Sequence, residues 1–158
     1  MFQEIERKFL VKGDFKKEVF QATEIKQGYL CGNADVSVRV RVRSNKGYLT
    51  IKGKRNASGL SRFEWEKEIT TEEAYALLGL VEGGYIEKTR YLVKNTDGKH
   101  TWEVDVFHGD NEGLIVAEIE LATENDTFDK PEWLGMEVSN DRRFCNSYLL
   151  KNPYKSWK

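Results

Sequence analysis

The sequence predicts an α+β protein built on an eight-stranded antiparallel closed β-barrel, a tunnel with a charged interior and helices packed outside. Three observations point there. Apolar and charged residues alternate with period two along most of the chain. Turn-forming clusters separate the runs at hairpin spacing. The helical stretches are short and peripheral. No Pro/Ser-rich linker, repeat or low-complexity block divides the 158 residues, so residues 1–158 read as one domain. A chain of this length holds a core without disulfide or metal staples.

The alternation runs through residues 2–11, 36–43, 48–54, 61–69, 86–94, 101–107 and 114–122, and 25–31 supplies one more strand. Ser44-Asn45-Lys46-Gly47 and Asn95-Thr96-Asp97-Gly98 read as hairpin turns, with glycine available for positive φ. Gly109-Asp110-Asn111-Glu112-Gly113 joins the last two strands. Thr70-Thr71-Glu72-Glu73 is a capping box that opens a helix ending near Gly83-Gly84. A second helix is expected from Asp141 to Leu150, and a weaker one after Asp14. The start of the chain has no basic n-region, and no stretch approaches the ~18 apolar residues a membrane span needs. Cys31 and Cys145 lack metal or redox spacing and read as reduced thiols of a cytoplasmic protein. His100 and His108 are too few for a histidine-based metal site.

Charge is abundant but cancels. Charged residues make up 32% of the chain, against about 25% in an ordinary domain. Lys+Arg 25 against Asp+Glu 26 leaves a net charge of −1, which excludes binding nucleic acid by bulk positive charge. The charge lies on one face of each strand. In residues 36–43 the valines take one face and Arg39, Arg41 and Arg43 the other. Arg62, Glu64, Glu66 and Glu68 share a face, as do Glu4, Glu6 and Lys8. The same pattern holds for Lys88 with Arg90, Glu103 with Asp105, Glu118 with Glu120, and Lys52 with Lys54. A solvated sheet face mixes Thr, Ser, Gln and Lys. These faces carry Glu and Arg nearly without interruption, with acids and bases segregated by strand.

Closing such a sheet with the ionic face inward makes a polar lumen, whose charges must pair or bind something. Many Lys/Arg with several Asp/Glu suit a polyanion together with a divalent cation. Arginine forks onto phosphate oxygens, and Glu4 and Glu6 stand about 6.6–6.8 Å apart along the strand. Oxygen ligands without His or Cys favour Mg²⁺ or Mn²⁺ over zinc.

The run Glu4-Ile5-Glu6-Arg7-Lys8-Phe9 resembles the ExExK signature of the CYTH, or triphosphate tunnel metalloenzyme, superfamily. Further blocks resemble it in the expected order: 38–41, 49–53, 59–66, 88–91, 102–105, 117–121, and 133–138 with 141–144. The resemblance covers nearly the whole chain, and the ordered set is far more specific than ExExK alone. It implies an eight-stranded tunnel that binds a linear triphosphate with Mg²⁺ or Mn²⁺, two ions during catalysis. Lys8, Arg39, Arg41, Lys52, Lys88 and Arg90 would hold phosphates, and Glu4, Glu6, Asp105, Glu118 and Glu120 would supply metal ligands. Arg62, Glu64, Glu66 and Glu103 would line the wall, Arg62 also touching substrate. Arg143 resembles a C-terminal arginine that reaches the substrate, although Phe144 stands where tyrosine is expected. Tyr29 occupies the place of a tyrosine partnered with the ExExK lysine. Lys8 is then either a phosphate contact or a general base, the latter if crowding by cations lowers its pKa.

The resemblance implies a small-molecule triphosphate as partner, most closely inorganic tripolyphosphate, with hydrolysis as the reaction. Class IV adenylate cyclase, thiamine triphosphatase and a non-catalytic polyphosphate-binding module are the competing readings. Neither nucleic acid nor membrane is an expected partner. The oligomeric state has no signal, and the tail Tyr154-Lys155-Ser156-Trp157-Lys158 reads as a cap on the barrel or a contact surface.

Overall fold

The computed structural model describes residues 2–33, 35–81 and 83–157; Lys158, the last residue of the tail, lies outside them. The elements are β1 (Gln3–Val11), β2 (Val19–Gly32), β3 (Ser37–Arg43), β4 (Lys46–Arg55), β5 (Ser61–Ile69), α1 (Thr71–Leu78), β6 (Ile86–Lys94), β7 (Thr101–Phe107), β8 (Ile115–Glu120), β9 (Leu134–Glu137) and α2 (Asn146–Lys151). The sheet runs β5-β4-β3-β2-β6-β7-β8-β1-β9, and β5 pairs back onto β1 to close eight strands into a barrel. All ladders are antiparallel. No helix among the described residues is long and apolar enough to cross a membrane.

The closing seam is short. β1 gives three residues, Gln3, Glu4 and Ile5, to β5, and then turns the same edge towards β9 at Phe9 and Val11. Its other edge pairs with β8 through Glu6–Leu10. β4 carries a register shift between Lys52 and Arg55. This bulge re-aims the strand, so that Arg55 lines the interior while Lys54, expected to share the face of Lys52, is exposed beside Asp35.

Apolar faces are covered in three ways. α1 packs outside on Val40 and Val42 through Ala74 and Leu78. Gly47 permits the approach, since a Cβ there would lie 2.7 Å from that of Ala74. On the opposite side Phe9, Trp102, Val104 and Ile119 are covered by Phe15, Phe128 and Trp133, from loops rather than helices. The third cluster fills one end of the barrel. Phe107 lies opposite Lys88, Ile86 opposite Gln27, and Val116 opposite Asp105, so these apolar side chains share the interior face with the polar ones. They pack with Leu114, Val138, Phe144 and Leu149, with Tyr154 and Trp157 of the tail against them.

Several local expectations are corrected. β2 begins at Val19, six residues before the alternation becomes regular. The helix opened by Thr70 keeps both hydrogen bonds of its capping box but ends at Leu78, capped by Gly79. The stretch after Asp14 is a single 3-10 turn, Lys16–Glu18. The expected 141–150 helix is broken: a 3-10 turn at Arg142–Phe144, extended backbone at Cys145, then α2. α2 therefore closes the barrel end instead of lying on its outside. The strand β9 had no periodic signal, being only four residues long. In the first hairpin Ser44 and Asn45, not glycine, take positive φ.

Candidate active site

The interior-facing side chains surround a cavity of about 210 Å³. Among the described residues nine lysines and arginines and seven glutamates line it. They fall into two contiguous arcs. β4, β3, β2 and β6 carry Lys52, Arg55, Arg39, Arg41, Arg43, Tyr29, Lys88 and Arg90. β7, β8, β1 and β5 carry Glu103, Glu118, Glu120, Glu4, Glu6, Glu64 and Glu66, with Lys8 and Arg62 among them. A basic wall thus faces an acidic one.

Ion pairs concentrate where the walls meet. At the β4/β5 seam Lys52 Nζ lies 3.1 Å from Glu4 and 3.2 Å from Glu64, and Arg39 lies 3.7 Å from Glu66. At the β6/β7 seam Arg90 forks onto Asp105 at 2.8 and 2.9 Å and reaches Glu103 at 3.0 Å. Lys88 Nζ is 2.7 Å from Asp105. These pairs leave much of the charge on each wall unmatched. Burial lowers the Arg41 guanidinium to about 9, with Arg39 and Arg90 adding to it; it remains charged at neutral pH. Burial likewise brings Lys88 down to about 7, against the pull of Asp105. Arg39 Nε is buried without a hydrogen-bond partner among the described residues. On the acidic wall, burial and then Glu118 and Glu4 push Glu6 well up. Burial also raises Glu4, outweighing Lys52, and raises Glu120. Glu118 goes the other way: burial opposes it, but Lys8 and Arg90 hold it well below the usual range.

Of the residues expected at the site, Glu4, Glu6, Lys8, Tyr29, Arg39, Arg41, Lys52, Arg62, Glu64, Glu66, Lys88, Arg90, Glu103, Glu118 and Glu120 line the cavity together. Two do not. Asp105 is 1% exposed beneath it, with both oxygens engaged by Arg90 and Lys88; it anchors cations and has no free face for a metal. Arg143 points outward, forking onto Asp141 and stacking 5.4 Å from the Trp157 ring. The expected Lys8–Tyr29 hydrogen bond is also not made: Lys8 Nζ donates to the Phe144 carbonyl at 3.1 Å and sits 3.8 Å from Glu118. Burial would lower its pKa, but Glu118 and Glu6 outweigh burial and raise it. Crowding by cations, the premise for a basic Lys8, falls on Lys88 instead.

Six further described residues line the cavity, Ser147 beside Asn146 on α2 among them. Arg43 and Ser37 follow from the alternation of β3, and Arg55 from a bulge that periodicity hides. Cys145 and Asn146 come from the broken helix, where no strand pattern could have signalled them.

The carboxylates fit a hard divalent cation in one particular way. Among the described residues no group of three or more His, Cys, Asp or Glu forms a ready-made metal cage. Instead Glu6 meets Glu118, and Glu4 meets Glu64, carboxyl against carboxyl. Such contacts require a shared proton or a cation between them. Mg²⁺ is commonly held by one or two carboxylates with substrate phosphates completing the shell, and these pairs face a cationic wall able to hold those phosphates.

Comparison with known proteins agrees with this geometry. The CYTH domain model matches residues 3–145. An inorganic triphosphatase of Acetivibrio thermocellus is 51% identical, over 100% of this chain and 99% of that protein. One from Nitrosomonas europaea is 38% identical over 92% of this chain and 95% of its own. The crystal structure of an inorganic triphosphatase superposes with a TM-score of 0.67 at 34% identity, covering 93% of this chain and 97% of that one. With the barrel, the two-walled lumen and a family model spanning most of its length, the chain belongs to the CYTH domain family.

Proposed function

We propose that the protein is a metal-dependent hydrolase of linear triphosphates, with inorganic tripolyphosphate as its substrate. The observation that carries this reading is the pairing of two opposed walls, one short of anions and the other short of cations, around a cavity of about 210 Å³. A triphosphate with its divalent cation answers both. The names of the relatives support the reaction class. Tyr29 is the single aromatic ring in the lining among the described residues, so an adenosine or thiamine group finds little to stack on.

Hydrolysis forms a P–O bond to water and breaks a bridging P–O bond, leaving charge on the departing oxygen. Arg39, Arg41, Lys88 and Arg90 stand where they stabilise that charge without reorganising. Arg39 Nε, orphaned in the interior, gains the acceptor it lacks when a phosphate oxygen arrives. Lys8 keeps its proton beside Glu118 and acts as a cation, not as the base. Glu4, Glu6, Glu118 and Glu120 would hold Mg²⁺ or Mn²⁺, which when bound neutralises phosphate charge and acidifies a coordinated water.

Phosphate release from tripolyphosphate, ATP and thiamine triphosphate, each with Mg²⁺, with Mn²⁺ and with chelator, tests the proposal. Tripolyphosphate should exceed ATP by about tenfold or more in kcat/KM, a discrimination that needs only ~1.4 kcal/mol. Cyclic AMP and pyrophosphate as main products would replace hydrolysis with cyclisation.

A further inference from the structure

A relay of hydrogen bonds crosses the filled end of the lumen in one direction. Arg41 Nε donates to Gln27 Oε1 at 2.7 Å. Gln27 Nε2 donates to Asn146 Oδ1 at 3.0 Å, and Lys88 Nζ donates to the same oxygen at 3.0 Å. Arginine and protonated lysine can only donate. Arg41 therefore selects the oxygen of Gln27 and turns its NH₂ towards Asn146, whose oxygen is claimed by two donors. The orientation of both amides is fixed from both ends. Gln27 is fully buried, so its orientation is not open to solvent competition.

This leaves the NH₂ of Asn146. Among the described residues Nδ2 has no hydrogen-bond partner, and it is not one of the sealed, unsatisfied atoms of the interior. Asn146 itself lines the lumen beside Lys88, Lys8 and Arg41. We propose that Asn146 is a substrate-binding residue whose Nδ2 donates a hydrogen bond to a phosphate oxygen lodged at the α2 end of the lumen, with Gln27 as the positioning residue that holds the amide in that direction. A neutral donor suits the place. Lys88 and Arg41 are already pressed down by burial and by neighbouring cations, and a further charge would deepen that crowding, whereas an amide adds a donor without charge. The inference deepens the triphosphatase reading and rests on it.

Replacing the amide by a carboxylate separates this role from a structural one. Asn146→Asp keeps an acceptor for Gln27 and Lys88 but turns an oxygen, not an NH₂, towards the phosphate. Metal-free tripolyphosphate affinity, measured calorimetrically, should fall about tenfold in Asn146→Ala and about a hundredfold or more in Asn146→Asp, the range for hydrogen bonds to charged groups. The Asp variant should melt no earlier than the Ala variant, because its carboxylate pairs with Lys88. Gln27→Leu should raise KM with kcat within about twofold, the pattern of lost ground-state binding, and should add nothing further in the Asn146→Ala background. Asn146→Asp binding as well as Asn146→Ala, or losses from Gln27 and Asn146 that multiply, would overturn the inference. If the Asp variant does not fold, unchanged affinity in Asn146→Ala overturns it alone. Wild-type protein that neither binds nor hydrolyses tripolyphosphate sinks the functional reading instead.

Discussion

The basic and acidic walls of the lumen share one fold and one burial, yet their charges are compensated mainly where they touch, with Lys8 and Arg62 the cations inside the acidic wall. Lys52 with Glu4 and Glu64, and Arg90 with Asp105, close the two seams. Arg41 lies on β3, away from either seam, and is pressed downward by burial and by other cations. Glu6 lies on β1, on the opposite side of the barrel, and is pushed upward by burial and by other carboxylates. Each wall is thus destabilised by an excess of its own sign, and the two excesses call for opposite ligands. Ordinary ion-pairing would have interleaved the charges. Segregating them keeps the site from satisfying itself, so that binding energy is left for a cation and a polyanion together.

The largest effect should come from the acidic wall. Glu6→Gln removes the charge a hard cation needs, and turnover should fall by about three orders of magnitude, measured as phosphate release in saturating Mg²⁺. The same change should raise the melting temperature of the metal-free protein at neutral pH. The folded pKa of Glu6 lies above its unfolded value, so its favourable contribution is present below that unfolded value and is lost as pH rises through the folded one. Above the unfolded value the buried carboxyl is therefore a cost to the folded state. The glutamine amide also supplies Glu118 with the donor that a proton on Glu6 would supply. Near-normal turnover in this variant would break the distinction between the walls.

On the basic wall, Arg41→Met should weaken metal-free tripolyphosphate binding about tenfold to a hundredfold, with little change of melting temperature, because relief of cationic crowding offsets the hydrogen bond lost to Gln27 Oε1. Earlier melting instead would mean that Arg41 serves internal structure more than ligand.

A smaller effect sharpens the comparison through protons. Tripolyphosphate added without metal should be accompanied by proton uptake near pH 7, since Lys88, at about 7 in the free protein, returns towards its ordinary value beside an anion. The uptake should be about half a proton, the vacancy of a group titrating near the working pH. Mg²⁺ added without triphosphate should release protons from the Glu6–Glu118 pair. Calorimetry in two buffers of different ionisation enthalpy gives both signs, and equal signs would contradict the two-wall description. The smallest effect is expected for Arg143→Ala. Its guanidinium belongs to neither wall and pairs on the surface with Asp141, so kcat/KM should stay within about twofold.

How much of this was legible depended on whether a residue's neighbours were set by period two. The alternation in 36–43, 61–69 and 114–122 fixes which face is ionic, and the closed barrel follows because both faces must be accounted for. Asp105 had the right face and the wrong role: parity placed it inward, but only the packing of Phe107 and Val116 around it shows that its level is filled. Arg55 was hidden by a bulge, which shifts parity by one residue. Asn146 lies after a break at Cys145 that helical pattern reading ran straight through. Gln27 could have been found, since it alternates with Tyr29 on a strand already identified. The charge matching of Lys8 and Lys88 depends on three-dimensional neighbours, and spacing along the chain carries no trace of it.

The closing seam between β1 and β5 has a dynamic consequence. Three residue pairs hold it, against eight between β2 and β6, so the barrel should breathe there first. Its amides at Glu4, Ile5 and Arg62 should exchange with deuterium faster than those of Val40 or Val104. Lys52 and Arg62 both reach Glu4 across this seam. An anion that draws Lys52 away unfastens one of those bonds at the moment it enters. Entry of the polyanion and loosening of the barrel are thereby one event, and exchange at the seam should report it residue by residue.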